Sequence, residues 1–222
     1  WVRGKYESAH MGKAYGFAAE CMRAGLAKGE AGEVLQIFDW MPVAAVVGAK
    51  RKVFCCHGGP PLDWDLLKEP VDERKSVVTL IEEVPRPAPC ADVGLINDLV
   101  WAQYDKEIKD WGPNPSGSSY VYGRDVLERF LRGHRMDFFC CSITSVSSGY
   151  AEPFPGLGVL TSGTETNSSD FSSLAAVLHV REDESREPEL FEPWGEAMGS
   201  RLARQVEDLL EQVGTALVKR AL

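Results

Sequence analysis

A histidine at the end of a short apolar run is the residue in this sequence best placed to bind a metal ion. Residues 53–56 have the composition of a buried strand, and His57, Gly58 and Gly59 follow them directly. Glycines allow the chain to turn tightly, and imidazole is a common metal ligand. The pattern predicts a strand that delivers His57, as one ligand, into a tight turn.

Composition restricts the partners of the chain. Its 222 residues carry a formal net charge of -9, so no basic surface for a phosphate backbone is expected, and we predict no direct nucleic-acid partner. No apolar run approaches the ~20 residues of a membrane-spanning helix, which predicts no membrane span.

Four of the six cysteines stand in two adjacent pairs, Cys55-Cys56 and Cys140-Cys141, each within an apolar run. Adjacent pairs lack the C-x-x-C spacing of zinc sites. We interpret the cysteines as buried, reduced thiols. This predicts an intracellular protein in a reducing compartment, although no organelle is indicated.

The elements that position these residues follow from periodicity. Apolar residues at helical spacing between Met11 and Leu26 predict one N-terminal helix. Glycines at 25, 29 and 32 are expected to break it before a second helix at about 33–40.

Further along the chain, alternation and apolar runs predict sheet strands. Buried strands are expected at 43–47, 53–56 and 137–141, a helix at 124–132, and consecutive sheet strands at 158–161 and 174–180. The acidic residues of 182–192 are expected to form a solvated loop and edge. His10, His134 and His179 have no partner at metal spacing and are interpreted as surface or capped histidines.

Four segments, in order, resemble the serine/threonine phosphoprotein phosphatases, the metallophosphatase group of types 1, 2A and 5 and calcineurin. Residues 3–7 (R-G-K-Y-E) stand where that family has R-G-N-H-E, and residues 55–59 match its C-C-H-G-G turn. Residues 92–101 resemble its D-T-G-L-L-C-D-L-L-W stretch, and 111–114 (W-G-P-N) resemble its W-G-E-N. The resemblance extends over about residues 1–192.

The resemblance implies an α/β fold in which a metallophosphatase-type β-sandwich is flanked by helices. Residues 1–192 would form the later two-thirds of this domain, and 193–222 a C-terminal helical extension. The earlier family motifs G-D-x-H-G and G-D-x-V-D-R-G do not occur in the chain, which begins at Trp1, so an upstream segment that carries them is an open alternative. In the family, two divalent metals such as Mn, Fe or Zn bridge a hydroxide and stabilise the charge of an in-line displacement.

The site residues implied by the resemblance are altered. Lys5 replaces a metal-binding asparagine, and Tyr6 replaces the histidine that acts as general acid. A protonated ammonium does not ligate a metal ion, and a phenol is a poorer acid near neutrality than an imidazole. Ile143 stands in place of a second metal-binding histidine, Ser116 in place of the phosphate-clamping arginine, and Asn167 in place of a tyrosine of the S-A-P-N-Y loop.

These changes leave His57 as the one matching, vestigial ligand, and a single imidazole does not hold a two-ion site. The sequence therefore predicts a pseudophosphatase without bound cofactor, which serves as a structural or interaction subunit of a larger assembly. The alternative is a divergent, active metal-dependent serine/threonine phosphatase whose ligands are completed by upstream residues. A decoy that binds phosphorylated segments is disfavoured by Ser116. Lys5 permits a sharper hypothesis, in which its ammonium occupies the place of a metal ion near His57.

The C-terminal residues follow a separate pattern. Apolar residues recur at helical spacing and would form one face of an amphipathic helix. This stripe consists of Met198, Leu202, Val206, Leu209, Val213 and Leu217. Two alternatives remain open: a helix packed on its own domain, or a helix that docks another protein subunit.

Overall fold

The structure, a computed structural model, describes residues 1–65, 75–91, 93–161, 173–183 and 185–192. The α-helices among them are α1 (Ala9–Ala14), α2 (Phe17–Arg23), α3 (Lys28–Ile37), α4 (Leu62–Asp65), α5 (Val77–Glu82), α6 (Leu95–Trp101) and α7 (Arg124–His134). The strands are β1 (Ala44–Val47), β2 (Val53–Cys56), β3 (Gln103–Tyr104), β4 (Trp111–Pro113), β5 (Tyr120–Tyr122), β6 (Phe138–Cys141), β7 (Tyr150–Phe154), β8 (Leu157–Leu160), β9 (Ala175–Val180) and β10 (Arg186–Phe191). This mixture confirms the predicted α/β class.

Five strands form the main sheet in the order β1-β2-β6-β8-β7. The three inner strands run parallel, whereas the edge strands β1 and β7 are antiparallel to their neighbours. Strands covered on both faces read as continuous apolar runs, and β6 is accordingly buried along its whole length. Two smaller sheets, β3-β5-β4 and the hairpin β9-β10, complete the described strands.

Both faces of the main sheet are packed, but against different elements. Phe54 and Phe139 of the sheet contact Phe130 of α7, with ring centroids 5.2 to 5.5 Å apart, in the larger core cluster. On the opposite face Phe138 packs with Leu178 of β9 in a smaller cluster. Alternate residues of β2 and β6 therefore face the helices or the β9 strand. Burying each such aromatic ring stabilises the fold by roughly 1.5–3 kcal/mol.

The N-terminal helices differ from their prediction. The single helix expected after Met11 is divided into α1 and α2 at Gly16, whose φ of 89° places it in the left-handed region. Gly29 and Gly32 lie inside α3 rather than ending a helix. Helical glycines cost about 1 kcal/mol each relative to alanine, and the burial of Leu35 on this helix outweighs that preference.

Two strand predictions also need correction. The segment expected to be a buried strand forms β1, but Val46 and Val47 are 40% and 42% exposed because β1 lies at the sheet edge. The runs expected as consecutive sheet strands form β8 and β9, which belong to different sheets. In the acidic tract, Arg186–Phe191 form β10, a solvent-exposed outer strand of the hairpin, which agrees with the predicted solvated edge.

The histidines outside the glycine turn have structural surroundings. His134 was expected to be a surface or capped histidine, but it is buried: its Nδ1 accepts a hydrogen bond from the Val77 N–H, and its ring stacks on Trp64 at 4.1 Å between centroids. His179 is exposed and pairs with Glu189 across the β9-β10 hairpin at 2.7 Å. Among the described residues, no helix combines the length and apolar character needed to cross a membrane.

We predict that Gly58 tolerates no side chain. A Cβ at this position would lie 2.7 Å from backbone atoms of Asp98, Val100 and Trp101 in α6. Gly58→Ala should therefore lower the free energy of unfolding by about 2 kcal/mol, measured by urea denaturation. Gly32→Ala is the matched control: apart from the backbone of its own helix, no heavy atom lies within 4 Å of its would-be Cβ, so it should raise stability by roughly 0.5–1 kcal/mol. Equal effects of the two substitutions would contradict this account.

Candidate functional site

His57 is held at the end of β2 by the neighbouring parallel strand. The Ser142 N–H, just beyond β6, donates to the His57 carbonyl over 3.1 Å, so the strand pairing continues past both strand ends. The His57 Nδ1 lies 2.9 Å from the Ser142 hydroxyl, which can donate or accept. The other ring nitrogen, Nε2, is buried and has no hydrogen-bond partner among the described residues. The ring is thus oriented through Nδ1, and Nε2 remains available to bind a ligand.

The two glycines after His57 dock on the end of α6. Their N–H groups donate to the carbonyls of Leu99 at 2.7 Å and Asp98 at 3.2 Å. A Cβ on Gly59 would lie 2.3 Å from the ring of Tyr122. The glycine pair therefore lets the turn approach α6 closely and fixes the direction of the chain after the histidine.

Asp98 ties this turn to two further segments. Its buried carboxylate accepts hydrogen bonds from the Leu62 N–H at 2.9 Å and the Ser119 hydroxyl at 2.6 Å. Burial raises the pKa of Asp98, and these two hydrogen bonds oppose the shift. The carboxylate therefore acts as a structural anchor beneath the turn.

The turn at residues 3–7 is anchored by a fully buried guanidinium. Arg3 donates from Nε to the Glu7 carbonyl at 2.6 Å, from Nη1 to the Ala88 carbonyl at 2.7 Å, and from Nη2 to the Asp39 carboxylate at 2.8 Å. Its backbone N–H donates to the Pro42 carbonyl at 2.7 Å. These contacts fix the segment that carries two of the altered positions.

Gly4 brings that turn directly against His57. A Cβ on Gly4 would lie 3.2 Å from His57 Nδ1 and 2.8 Å from Glu7 Oε2. The Glu7 carboxylate is occupied by the turn itself, since its Oε2 accepts from the Gly4 N–H at 2.8 Å. The glycine and glutamate of this segment therefore build the turn.

Lys5 lies beside His57. Its half-buried side chain places Nζ 3.5 Å from the Ile143 carbonyl, at the outer limit of a hydrogen bond, and 5.4 Å from the centroid of the Tyr6 ring. Burial and, second, the Lys5 charge lower the pKa of His57 from 6.5 to about 4. The imidazole is therefore neutral at physiological pH. Three of the positions selected from the sequence, Lys5, His57 and Ile143, come together here.

The remaining selected positions are oriented elsewhere. Tyr6 is 50% exposed and packs edge-on against Tyr15 at 5.4 Å between ring centroids. The Ile143 side chain is buried in the larger core cluster, so only its carbonyl faces Lys5. Ser116 is exposed, and both its N–H and its hydroxyl bond the Asn114 side chain, at 3.0 and 2.9 Å. Asn167 and the C-terminal stripe lie outside the described residues.

This donor set does not fit a two-ion metal centre. In the described parts of the chain, no group of three or more His, Cys, Asp or Glu side chains is arranged to hold a metal ion. His57 contributes one free nitrogen, but its neighbour Lys5 brings a positive charge instead of an oxygen ligand. Divalent metals that act in pairs need several anionic or neutral donors around each ion.

Two features of the site region were missed from the sequence. Ser142, which orients the His57 ring, follows β6 as His57 follows β2, and parallel pairing of the two C-C runs would have placed them together. Cys55 and Cys140 also pair: a hydrogen bond from the Cys140 thiol lowers the pKa of Cys55, and the same contact raises the pKa of Cys140. In both runs a polar residue, His57 or Ser142, directly follows the cysteine pair, and this shared pattern could have indicated that the two runs lie side by side.

Comparison with known proteins supports this fold. The model of the calcineurin-like phosphoesterase family matches residues 1–142. Among solved structures, a protein serine/threonine phosphatase from Saccharomyces cerevisiae with similarity to human phosphatase PP5 superimposes with a TM-score of 0.71 at 24% sequence identity. The match covers 88% of this chain and 60% of the yeast chain, so this chain spans less than two thirds of that protein. The likeness establishes the fold and confirms the predicted metallophosphatase architecture.

The family match extends over more than half of the sequence, and it includes the turn at residues 3–7, the glycine turn after His57 and the strand that delivers Ser142. The chain therefore belongs to the calcineurin-like phosphoesterase family.

Proposed function

We propose that this chain is a catalytically inactive phosphatase-like domain that serves as a structural or interaction subunit of a larger assembly. The observation that carries the proposal is the position of Lys5 beside His57, with its Nζ 3.5 Å from the Ile143 carbonyl. A divalent ion about 4 Å from an ammonium would meet a repulsion of about 8 kcal/mol at an effective dielectric constant of ~20. The lysine thus disfavours the ion that His57 would otherwise help to bind.

The other altered positions support the same conclusion. Tyr6 packs on Tyr15 at the surface, which gives it no orientation toward His57 as an acid. Ile143 contributes to the core, and Ser116 is engaged with Asn114 in its own turn. At these positions, residues that pack or form turns therefore stand where the family has a metal ligand, a general acid and a phosphate-binding arginine. We also propose an intracellular, reducing location for this module, because four of its six cysteines stand in adjacent pairs within apolar runs and lack C-x-x-C spacing.

One observation favours the alternative of a divergent, active metal-dependent serine/threonine phosphatase. The buried Nε2 of His57 has no hydrogen-bond partner among the described residues, and such a nitrogen is usually paired. A metal ion held together with ligands from further residues of the protein would satisfy it.

Metal analysis and hydrolysis assays separate the two functions. We expect the purified protein to contain no stoichiometric Mn, Fe or Zn by mass spectrometry, and to hydrolyse p-nitrophenyl phosphate with added Mn²⁺ no faster than its His57→Asn variant. Lys5→Asn should increase Mn²⁺ affinity because it removes the repulsion and adds an amide oxygen. Lys13→Asn, on α1, is the matched charge control. Two bound metals together with turnover that is lost in His57→Asn would establish the active alternative.

The lowered pKa of His57, caused by burial and, second, by the Lys5 charge, also predicts a pH effect on stability. The folded state holds His57 neutral down to about pH 4, whereas the unfolded chain protonates it near 6.5. Between these values the unfolded state binds more protons, so the free energy of unfolding should fall as pH decreases, by at most about 1.4 kcal/mol per pH unit from this residue. Urea denaturation at pH 7 and pH 5 measures the change.

Two variants test whether that pH effect comes from the titration of His57 and from the Lys5 charge. His57→Asn keeps a side-chain group near Ser142 but cannot titrate, so it should lose this part of the pH dependence. Lys5→Met should raise the pKa of His57, measured by NMR of the ring protons, and reduce the dependence. An unchanged His57 titration in Lys5→Met would show that the ammonium does not act on the imidazole, and would remove the main support for an inactive site.

The interaction role is tested through the C-terminal stripe, Met198 to Leu217, which we propose as a contact for another protein subunit. Deletion of residues 196–222 should release the protein from its native complex, as judged by size-exclusion chromatography of cell extracts. A full-length variant that reverses one charge between the apolar residues of the stripe, Arg204→Glu, is the control and should remain bound. Unchanged association after the deletion would assign the stripe to packing within its own domain.

A further inference from the structure

Cys55 and Cys140 form one rung of the parallel strand pair in the main sheet. They are direct partners in the register of β2 and β6, and directly paired residues point to the same face. Both side chains lie on the face that packs against Leu178 of β9. Cys56 and Cys141 belong to the larger core cluster on the other face. The two vicinal pairs therefore supply one thiol each to a shared rung.

The spacing of the two strands is compatible with a disulfide between Cys55 and Cys140. Paired strands lie about 4.7–4.9 Å apart, within the ~4.4–6.8 Å between Cα atoms that a disulfide spans. A sulfur–sulfur bond at this rung therefore requires no change of strand register.

A small oxidant has room to reach the pair. All four cysteines of the two pairs line a cavity of 440 Å³ that is bordered by Leu160 and Ala176 on the adjoining strands. Cys55 is half-buried, whereas Cys56, Cys140 and Cys141 are buried. A peroxide molecule is of similar size to one or two water molecules, each of which occupies about 30 Å³.

We propose that Cys55 and Cys140 are a peroxide-sensitive dithiol that closes to a disulfide between β2 and β6. The Cys55 sulfur attacks one peroxide oxygen, the O–O bond breaks, and a sulfenic acid and water form. The Cys140 sulfur then attacks the Cys55 sulfur, the S–O bond breaks, and hydroxide leaves as water with the proton of the Cys140 thiol. In total, two thiols and one hydrogen peroxide give one disulfide and two waters.

The bridge would act on the site through the next rung. Residues two positions further along each strand are His57 and Ser142, whose side chains hydrogen-bond at 2.9 Å. Because residues at this spacing share a face, a disulfide at Cys55 and Cys140 fixes the strands one rung from the imidazole. Transient disulfides of this kind are the usual form of thiol oxidation in reducing compartments. The inference does not depend on whether the site is active.

Peptide mapping tests the proposal on the whole protein. After exposure to hydrogen peroxide, free thiols are blocked with N-ethylmaleimide and the protein is digested with trypsin. We expect residues 53–68 and 136–181, which carry the two cysteine pairs, to appear as one linked peptide that dithiothreitol separates. Backbone fragmentation between Cys55 and Cys56, and between Cys140 and Cys141, should give ions that assign the bridge to Cys55 and Cys140. Absence of the linked peptide, or a bridge on Cys56 or Cys141, would overturn the proposal.

Matched substitutions give a second readout. Cys55→Ser and Cys140→Ser should each abolish the linked peptide, whereas Cys56→Ala and Cys141→Ala should retain it. Circular dichroism of the reduced variants establishes that each is folded before oxidation. A linked peptide that persists in Cys55→Ser or Cys140→Ser, or sulfinic acid without a bridge in the unsubstituted protein, contradicts a dithiol switch. The mapping of the unsubstituted protein stands whether or not any variant folds.

Discussion

The buried guanidinium of Arg3 is the interaction on which the site region depends. It joins the turn at residues 3–7 to Asp39, to the Ala88 carbonyl and to its own Glu7 carbonyl. With the Arg3 side chain fully buried, loss of its partner would leave an uncompensated charge, which typically costs about 3–5 kcal/mol. This constraint fixes the backbone that places Lys5 beside His57. The position of the ammonium is therefore a consequence of a structural ion pair two residues earlier.

The same geometry explains how the fold is retained while the chemistry of the loops differs. The turns are built from backbone hydrogen bonds and close glycine contacts, such as Gly58 on α6 and Gly4 on His57. Lys5 and Tyr6 contribute little to those contacts, because their side chains extend from a turn that is already anchored at both ends. Ile143 even adds to the core. The residues that build the turns are therefore different from those at the metal-site positions. The site positions can change while the fold is retained.

The sequence predicted the parts of the fold in which local pattern and tertiary environment agree. β2, β6 and α7 were recognisable because they are apolar runs or a strong helical stripe at the centre of the molecule. β1 was placed correctly but judged buried, since its composition does not reveal that it lies at a sheet edge. The helix break at Gly16 and the burial of His134 depend on backbone conformation and on contacts with distant residues. At the site, the motif positions were recognisable, but the Ser142 contact and the thiol rung required the register of two strands separated by more than 80 residues.

The register of β2 and β6 determines which side chains lie next to each other in the site region. On the face toward β9, successive rungs of β2 and β6 are Val53 with Phe138, Cys55 with Cys140, and then His57 with Ser142. Side-chain polarity increases along this series toward the ends of the two strands. An unpaired nitrogen buried at the last rung carries a cost of about 1–3 kcal/mol, which the packing of the first two rungs offsets. The strand pairing and the Ser142 hydroxyl hold the imidazole in place whether or not an ion binds it, so its position does not by itself indicate a live metal site.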